Sequence, residues 1–95
     1  MGRFTDSTAD TARFRILEYF LEARETDHAV SDVIEATELA RSSFYAAWPA
    51  LLASGVIRHT RIVGKTRLYQ LDRTNAYAKL YLALFTLAMK EPLVA

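Results

Sequence analysis

Cysteine is absent from this sequence of 95 residues. Its absence excludes a disulfide framework, a thiolate metal site and a redox switch of the cysteine type. Histidine is scarce, because His28 and His59 are the only two, and neither lies in a cluster of carboxylates or glycines. Ser, His and Asp occur at no spacing that is typical of a catalytic motif. We therefore predict no catalytic residue, no metal site, no cofactor and no enzyme activity.

The sequence also lacks a long uncharged apolar run and an N-terminal secretory signal. A membrane span needs roughly 18 or more apolar residues, and a signal peptide needs a recognisable apolar segment near the start. We expect no membrane association and a cytoplasmic location. The length predicts one domain, 1–95, and the 52% apolar content supports a small core that would benefit from burial by oligomerisation.

The net charge of +1 conceals an uneven distribution. Residues 1–40 contain four Arg and nine acidic residues, which gives −5, and residues 41–75 contain six basic residues and one acidic residue, which gives +5. A local excess of positive charge is the electrostatic footprint expected opposite a nucleic acid. The alternative is a solvated basic face without a partner.

Residues 39–57, LARSSFYAAWPALLASGVI, predict a helix with two different faces. At about 100° per residue, four apolar side chains form a core stripe: Phe44, Ala47, Trp48 and Leu51. The opposite face is small, polar or aromatic and has no carboxylate, which suits close approach to an anionic surface: Ser42, Tyr45, Ala46 and Pro49. Gly55 predicts the end of the helix. Pro49 predicts a kink or a break near Trp48.

The neighbouring segments complete a compact pattern. A shorter helix is predicted over 32–37, with Ser31 as its N-cap, and Leu39 is the expected buried plug of the turn that follows. Residues 29–30 predict a short strand that pairs with a hairpin. That hairpin is predicted by β-type runs over 57–62 and 66–71, on either side of a turn that contains Gly64.

Two helices followed by a basic hairpin are typical of a winged helix-turn-helix. Residues 29–71 resemble the winged helix-turn-helix of prokaryotic regulators of the MarR, ArsR and PadR type. The segment SFYAAWPALLASGVI is most similar to the PadR-like pattern, in which a hydroxyl residue, an apolar residue and Tyr precede an apolar helix that ends in Gly. The resemblance implies a dimer formed by terminal helices. The sequence departs from these families at Glu38, Ala40, Ala46 and Pro49, where Gly, a hydroxyl cap and long polar side chains are usual.

The predicted DNA contacts on the long helix begin at its N-terminus. The amides at Arg41, Ser42 and Ser43 can hold a phosphate, and Arg41 adds a charge-assisted contact. Tyr45 can meet a base edge, a phosphate or a thymine methyl, and Ala46 lies beside it. The alternative for Tyr45 is packing on the flank of the helix. Few groups here can read bases, so specificity is expected to be modest or to come from DNA shape and the hairpin.

The predicted DNA contacts on the hairpin are basic. Lys65 and Arg67, near the tip, are the best candidates for phosphate or minor-groove contact, followed by Arg61 and Arg58. Ile62 and Val63 are unusually apolar for a tip. They suit a wedge against sugar or a protein neighbour, or simply a stiff hairpin turn, which we favour.

The terminal segments predict two helices for dimerisation. One covers 8–25 after a loose arm over 1–7, with Ser7 as its N-cap, and the other covers 76–90, capped by Thr74 or Asn75. A chain of this size cannot cover so much apolar surface, so a two-fold dimer is the economical solution, although both apolar arcs of the first helix could pack inside the monomer. The predicted interface has nine residues: Ile16, Tyr19, Phe20, Tyr77, Leu80, Tyr81, Leu84, Phe85 and Ala88.

The sequence thus predicts a mainly α fold with a small β-hairpin wing, of class α+β. Its parts are a loose arm over 1–7, helix 8–25, a helix-turn-helix over 31–54, a wing over 57–71 and a C-terminal dimerisation helix over 76–90. The expected function is sequence-specific binding of double-stranded DNA as a homodimer, by a small regulator of transcription at the nucleoid. A DNA-coating architectural or plasmid-partition adaptor is one alternative. A winged helix that contacts only a protein partner is the alternative of another class.

Overall fold

The computed structural model describes the backbone of residues 3–90 and the side chains of residues 10–90. Within these residues the fold is α+β with four helices and three strands, in this order: α1 (Arg3–Glu22), β1 (His28–Ala29), α2 (Val30–Thr37), α3 (Arg41–Ser54), β2 (Ile57–Val63), β3 (Thr66–Leu71) and α4 (Ala76–Lys90). The strands form one antiparallel sheet in the order β1-β3-β2. This layout is compatible with a winged-helix arrangement.

Helix α1 begins at Arg3 and ends at Glu22, so it starts and stops earlier than the predicted range of 8–25. The expected loose arm is wrong for residues 3–7, and the expected N-cap at Ser7 is wrong because Ser7 lies inside the helix. Residues 3–7 contain no Gly or Pro that would interrupt a helix. At the other end, Arg24 Nη1 donates to the carbonyl of Leu21 at 2.7 Å, which satisfies one of the last carbonyls.

The core lies where α3 packs against α1 and the inner end of the sheet. The predicted stripe on α3 is confirmed, because Phe44, Ala47, Trp48 and Leu51 are all buried. Trp48 is the central ring: it stacks on Phe44 with ring centroids 4.9 Å apart and on Phe20 at 6.1 Å. Burial of large apolar side chains is the main stabilising contribution in such a small domain.

The apolar arc of α1 that was predicted to face a partner is instead part of this core. Ile16 and Phe20 are fully buried within the chain, so the prediction that they line a dimer interface is wrong. Tyr19 is half-buried, and its hydroxyl lies 3.0 Å from Nδ1 of His28. His28 Nε2 lies 2.9 Å from the carbonyl of Ala23, which can only accept, so Nε2 donates to it. In the neutral imidazole, the hydroxyl of Tyr19 then donates to Nδ1. Burial, followed by the negative charge of Asp32, raises the pKa of Tyr19.

Helix α2 begins at Val30, directly after a strand. Ala29 occupies the N-cap position without a side-chain hydrogen bond, so the predicted cap at Ser31 is wrong. The reason is that Ala29 is fixed by pairing with Leu68 of β3, and the helix starts from that fixed backbone. The pairing confirms that a short strand joins the hairpin, although it covers residues 28–29. The helix ends at Thr37, and its C-cap Glu38 adopts a left-handed conformation with φ of 59° where glycine is usual.

The turn between α2 and α3 and the course of α3 follow from packing. Leu39 is half-buried and packs against the core, as predicted for a plug. Helix α3 continues through Pro49, so of the predicted kink or break the break is wrong. Trp48 and Leu51 are buried on either side of Pro49 and hold the helix in place. The helix ends at Gly55, as predicted, with φ of 78°, and the Gly55 amide donates to the carbonyl of Leu52 at 3.1 Å.

Candidate nucleic-acid interface

The outward face of α3 is the first component of the candidate site. Its exposed residues are Arg41, Ser42, Tyr45, Ala46 and Pro49, whereas Ser43 is half-buried. The guanidinium carbon of Arg41 lies 5.9 Å from the centroid of the Tyr45 ring, within range of a cation–π contact. Phe44 meets the same ring edge-on, with centroids 5.1 Å apart. The Tyr45 ring therefore contacts both the Arg41 guanidinium and a core ring, while 48% of the residue stays exposed.

The N-terminus of α3 provides hydrogen-bond donors. Ala40 stands at the N-cap position and makes no side-chain cap hydrogen bond. The Phe44 amide donates to the carbonyl of Ala40 at 3.0 Å, and the amides before it belong to the first turn, where a helix has no internal acceptors. The first turn contains no acidic residue, so the positive end of the helix dipole is not compensated there.

The hairpin of β2 and β3 is the second component, and its register contains a bulge. Ile57 pairs with Leu71 and His59 with Tyr69, but beyond an irregularity between His59 and Arg61 the pairs are shifted by one residue. Thr60 is therefore the extra residue of β2. Side chains alternate along a strand and paired residues share a face. The bulge consequently puts the side chains of residues 61–63 on the faces opposite to those that uninterrupted alternation predicts.

The bulge decides which basic residues lie on the same side as α3. Tyr69 meets Trp48 of α3 with ring centroids 5.1 Å apart, so α3 packs on the face of the sheet that carries Tyr69. Arg67, two residues before Tyr69 on β3, lies on that face together with its partner Ile62. Arg58, which pairs with Gln70, and Arg61, which pairs with Leu68, lie on the opposite face.

An acidic residue from the α1–β1 connection holds the bulge. The carboxylate of Asp27 accepts hydrogen bonds from the hydroxyl of Thr60 at 2.6 Å and from Nε of Arg61 at 2.9 Å. These two hydrogen bonds, first that of Arg61, lower the pKa of Asp27 to about 2. Sequence reasoning missed Asp27, because only the register of the folded sheet brings it to the bulge. The same carboxylate thus occupies part of the guanidinium of Arg61, which the sequence predicts as a DNA contact.

The four predicted basic contacts of the hairpin therefore differ in availability. Arg61 is paired with Asp27. Arg58 contributes to the lowered pKa of Asp72, which is due first to the hydroxyl and amide of Thr74. Lys65 and Arg67 are exposed and form no ion pair within the described part of the chain. These two are the hairpin cations best placed to meet a phosphate.

Helix α4 presents a second surface, and it is apolar. Asn75 caps this helix, as predicted, because its Oδ1 accepts from the amide of Ala78 at 3.0 Å. Ala78 is the only buried residue of α4. We use the name α4 face for the exposed apolar residues on the other side of the helix: Tyr77, Leu80, Leu84, Leu87 and Ala88. Of the residues predicted to line a dimer interface, Tyr81 and Phe85 are half-buried and pack against the core from beneath this face.

Helix α1 adds one residue to this surface that sequence reasoning did not assign to it. Phe14 is 65% exposed, and it lines a groove of about 450 Å³ between α1 and α4. Leu84 and Ala88 of the α4 face line the same groove. The α4 face and Phe14 therefore form an apolar patch that the described part of the chain does not cover.

Other kinds of site have no counterpart in the described residues. No group of His, Asp and Glu side chains there is placed to hold a metal ion. No helix among them has both the length and the apolar content to cross a membrane. Comparisons with models of protein families, with curated proteins and with solved structures found no match to this chain.

Proposed function

We propose that this protein is a winged helix-turn-helix that binds double-stranded DNA sequence-specifically as a homodimer and regulates transcription. It is not an enzyme, and it works in the cytoplasm at the nucleoid. The observation that carries the proposal is the outward face of α3, which contains no Asp or Glu, together with the exposed Arg67, which the strand register puts on the face of the sheet against which α3 packs. An anionic duplex is the partner that matches such a surface.

Helix α3 supplies the major-groove element in this proposal. Its free N-terminal amides and Arg41 bind a backbone phosphate, which fixes the register of the protein on the duplex. Tyr45 lies further along the same face and contacts a base edge or a thymine methyl. Ala46 and Pro49 permit close approach but read no base, so the site-specific contacts are few.

The α4 face supplies the dimer contact. Five exposed apolar residues on one helix, beside Phe14 of α1, are more than a small monomer leaves in water without a partner. A second copy covers both patches at once through a two-fold axis. Such a dimer places two α3 helices on one side, where they can enter successive major grooves about one helical turn apart.

Two other functions compete with this proposal. The short base-reading face of α3 favours a DNA-coating architectural or partition adaptor, for which few base contacts suffice. The apolar residues at the hairpin tip and on α4 favour a module that contacts only proteins. Both alternatives make different predictions about salt dependence and footprint size, and both are decided by the same experiment.

The experiment is a titration of the protein into fluorescent duplex DNA across a salt series. The DNA that flanks the protein's own gene is compared with scrambled duplex of the same length and composition. Saturable binding that favours the flanking DNA and weakens with salt supports a site-specific regulator, and the slope counts the phosphates contacted. Footprints that lengthen with protein concentration point to the adaptor. Absence of binding to both duplexes at low salt refutes DNA binding.

A further inference from the structure

The tip of the hairpin exposes more than half of two apolar side chains. Ile62 is 56% exposed and Val63 is 52% exposed. The tip is closed by Gly64 and Lys65, and Gly64 has φ of 63°, which favours glycine. A Cβ atom at Gly64 would meet nothing within 4 Å, so the space beside this turn residue is open.

The bulge in β2 determines on which face of the hairpin each of these two side chains lies. The bulge at Thr60 places Ile62 on the face of the sheet that α3 covers, together with Arg67, and places Val63 with Thr66 on the other face. Asp27 holds the bulge through Thr60 and Arg61. Ile and Val are also branched at Cβ, so their side chains have little rotamer freedom. The tip is thus an apolar edge with one branched side chain on each face of the hairpin.

Charge indicates what such an edge meets. Residues 57–71 contain four Arg or Lys residues and no Asp or Glu. Lys65 follows the apolar pair in the turn, and Arg67 lies opposite Ile62 on the neighbouring strand. Duplex DNA has two anionic phosphate backbones with apolar stacked base pairs between them. It therefore matches an apolar edge that is flanked by the cations Lys65 and Arg67.

We propose that Ile62 and Val63 form a wedge that enters the minor groove of duplex DNA and bends it, while Lys65 and Arg67 bind the flanking phosphates. This inference rests on the proposed function, and it adds to that function a way of choosing sites. Wedge insertion between base steps requires local unstacking, which is easiest at flexible pyrimidine–purine steps. Deformability then supplies selectivity that the short reading face of α3 lacks.

The test is a measurement of DNA bending by energy transfer between dyes at the two ends of a duplex of about 30 bp. One duplex is the gene-flanking DNA with its TA or CA steps, and in the other those steps are replaced by a stiff A-tract. We expect the wild type to bend the first by roughly 20–90° and to prefer it about tenfold. Ile62→Thr combined with Val63→Thr keeps branched, strand-forming residues but removes the apolar edge, and should abolish the bend and the preference.

Two matched variants complete the design. Ile62→Val keeps an apolar branched side chain and should retain the bend. Lys65→Ala should weaken binding and flatten the salt slope, yet leave the bend at saturation unchanged. Equal bending by the double threonine variant, or binding by the wild type without a bend, overturns the wedge but leaves DNA binding intact. A double variant that loses dimerisation instead would assign the tip to a contact between copies, and no binding by the wild type would overturn the proposed function itself.

Discussion

Asp27 and Arg61 are 34 positions apart in the sequence and form a two-point contact in the fold. Nε of Arg61 donates to Oδ2 of Asp27 at 2.9 Å, and Nη2 donates to Oδ1 at 3.3 Å. The side chain of Asp27 is 13% exposed and that of Arg61 is 65% exposed. The pair joins the connection after α1 to the bulge of the wing.

This contact makes a prediction about pH. The pKa of Asp27 is lowered from 3.8 to about 2 in the folded chain. A carboxyl with a lowered folded pKa contributes stability that is fully present above its unfolded pKa and is lost as pH falls through the folded value. Between about pH 5 and pH 2, the wild type should therefore lose more stability than Asp27→Asn, measured by urea unfolding at several pH values. Equal pH dependence of the two proteins would show that the hydrogen bonds of Asp27 with Arg61 and Thr60 contribute nothing to stability.

Asp10→Asn is the matched control for that experiment. Asp10 also pairs with an arginine, Arg13, but both lie on the surface of α1, three positions apart. Exposed pairs of this kind contribute little to stability. The control should therefore follow the wild type across the whole pH range, whereas Asp27→Asn departs from it.

Local patterns predicted most elements of this fold. The spacing of Phe44, Trp48 and Leu51 predicted the buried side of α3, because a helix that packs on a core repeats its apolar residues at helical intervals. The hairpin was equally readable, since two β-type runs flank a turn with Gly64. The exposed position of Tyr45 follows from the helical periodicity, whereas Lys65 and Arg67 are exposed because they lie at or near the tip of the hairpin.

Features that depend on contacts between distant segments could not be read in this way. The choice of buried arc on α1 depends on where α3 packs, so Ile16 and Phe20 were assigned to the wrong surface. The bulge at Thr60 changes which side chains share a face, and simple alternation contains no signal for it. The ion pair of Arg61 with Asp27 follows from that bulge. It distinguishes Arg61 from Lys65 and Arg67, which form no ion pair among the described residues.

The cations at the wing tip should act on affinity for all sequences alike. In a dimer, Lys65→Ala or Arg67→Ala removes one phosphate contact from each subunit. The slope of log affinity against log salt should then fall by about 1 per contact removed, or about 2 per dimer. Arg73→Ala is the control, because Arg73 lies beyond the end of β3 and its guanidinium pairs with the carboxylate of Glu25 at 2.9 Å. An unchanged slope for both wing variants would remove the tip from the interface.

Tyr45 should act on the choice of site instead. Tyr45→Phe keeps the ring beside Arg41 and removes only the hydroxyl, whereas Tyr45→Ala removes both. If Tyr45 contacts a base, Tyr45→Ala should reduce the preference for the best site over scrambled duplex by roughly 1–3 kcal/mol, with little change in salt slope. Competition binding with the two duplexes measures this preference. Unchanged affinity and unchanged preference in Tyr45→Ala would show that the outward face of α3 does not read DNA.

The α4 face should control the oligomeric state. Leu84 is 60% exposed at the centre of this face, so Leu84→Glu leaves the core of the monomer intact while it places a charge in the proposed contact. We expect the variant to sediment as a monomer and to bind DNA more weakly, because one subunit offers half of the contacts. Lys79→Glu makes a larger change of charge on the polar edge of the same helix and should leave the dimer intact. A Leu84→Glu protein that remains a dimer would assign the self-contact to another surface.

Pro49 gives a prediction about stability. A proline inside a helix leaves one carbonyl without its amide partner and crowds the preceding turn, at a typical cost of about 3 kcal/mol. Pro49 is exposed in the continuous helix α3, so Pro49→Ala restores a donor toward the carbonyl of Tyr45 without opening a cavity in the core. Urea unfolding should show an increase of roughly 1–3 kcal/mol in the free energy of unfolding. A decrease would mean that the ring of Pro49 supports the helix through packing, and that α3 is adapted to its proline.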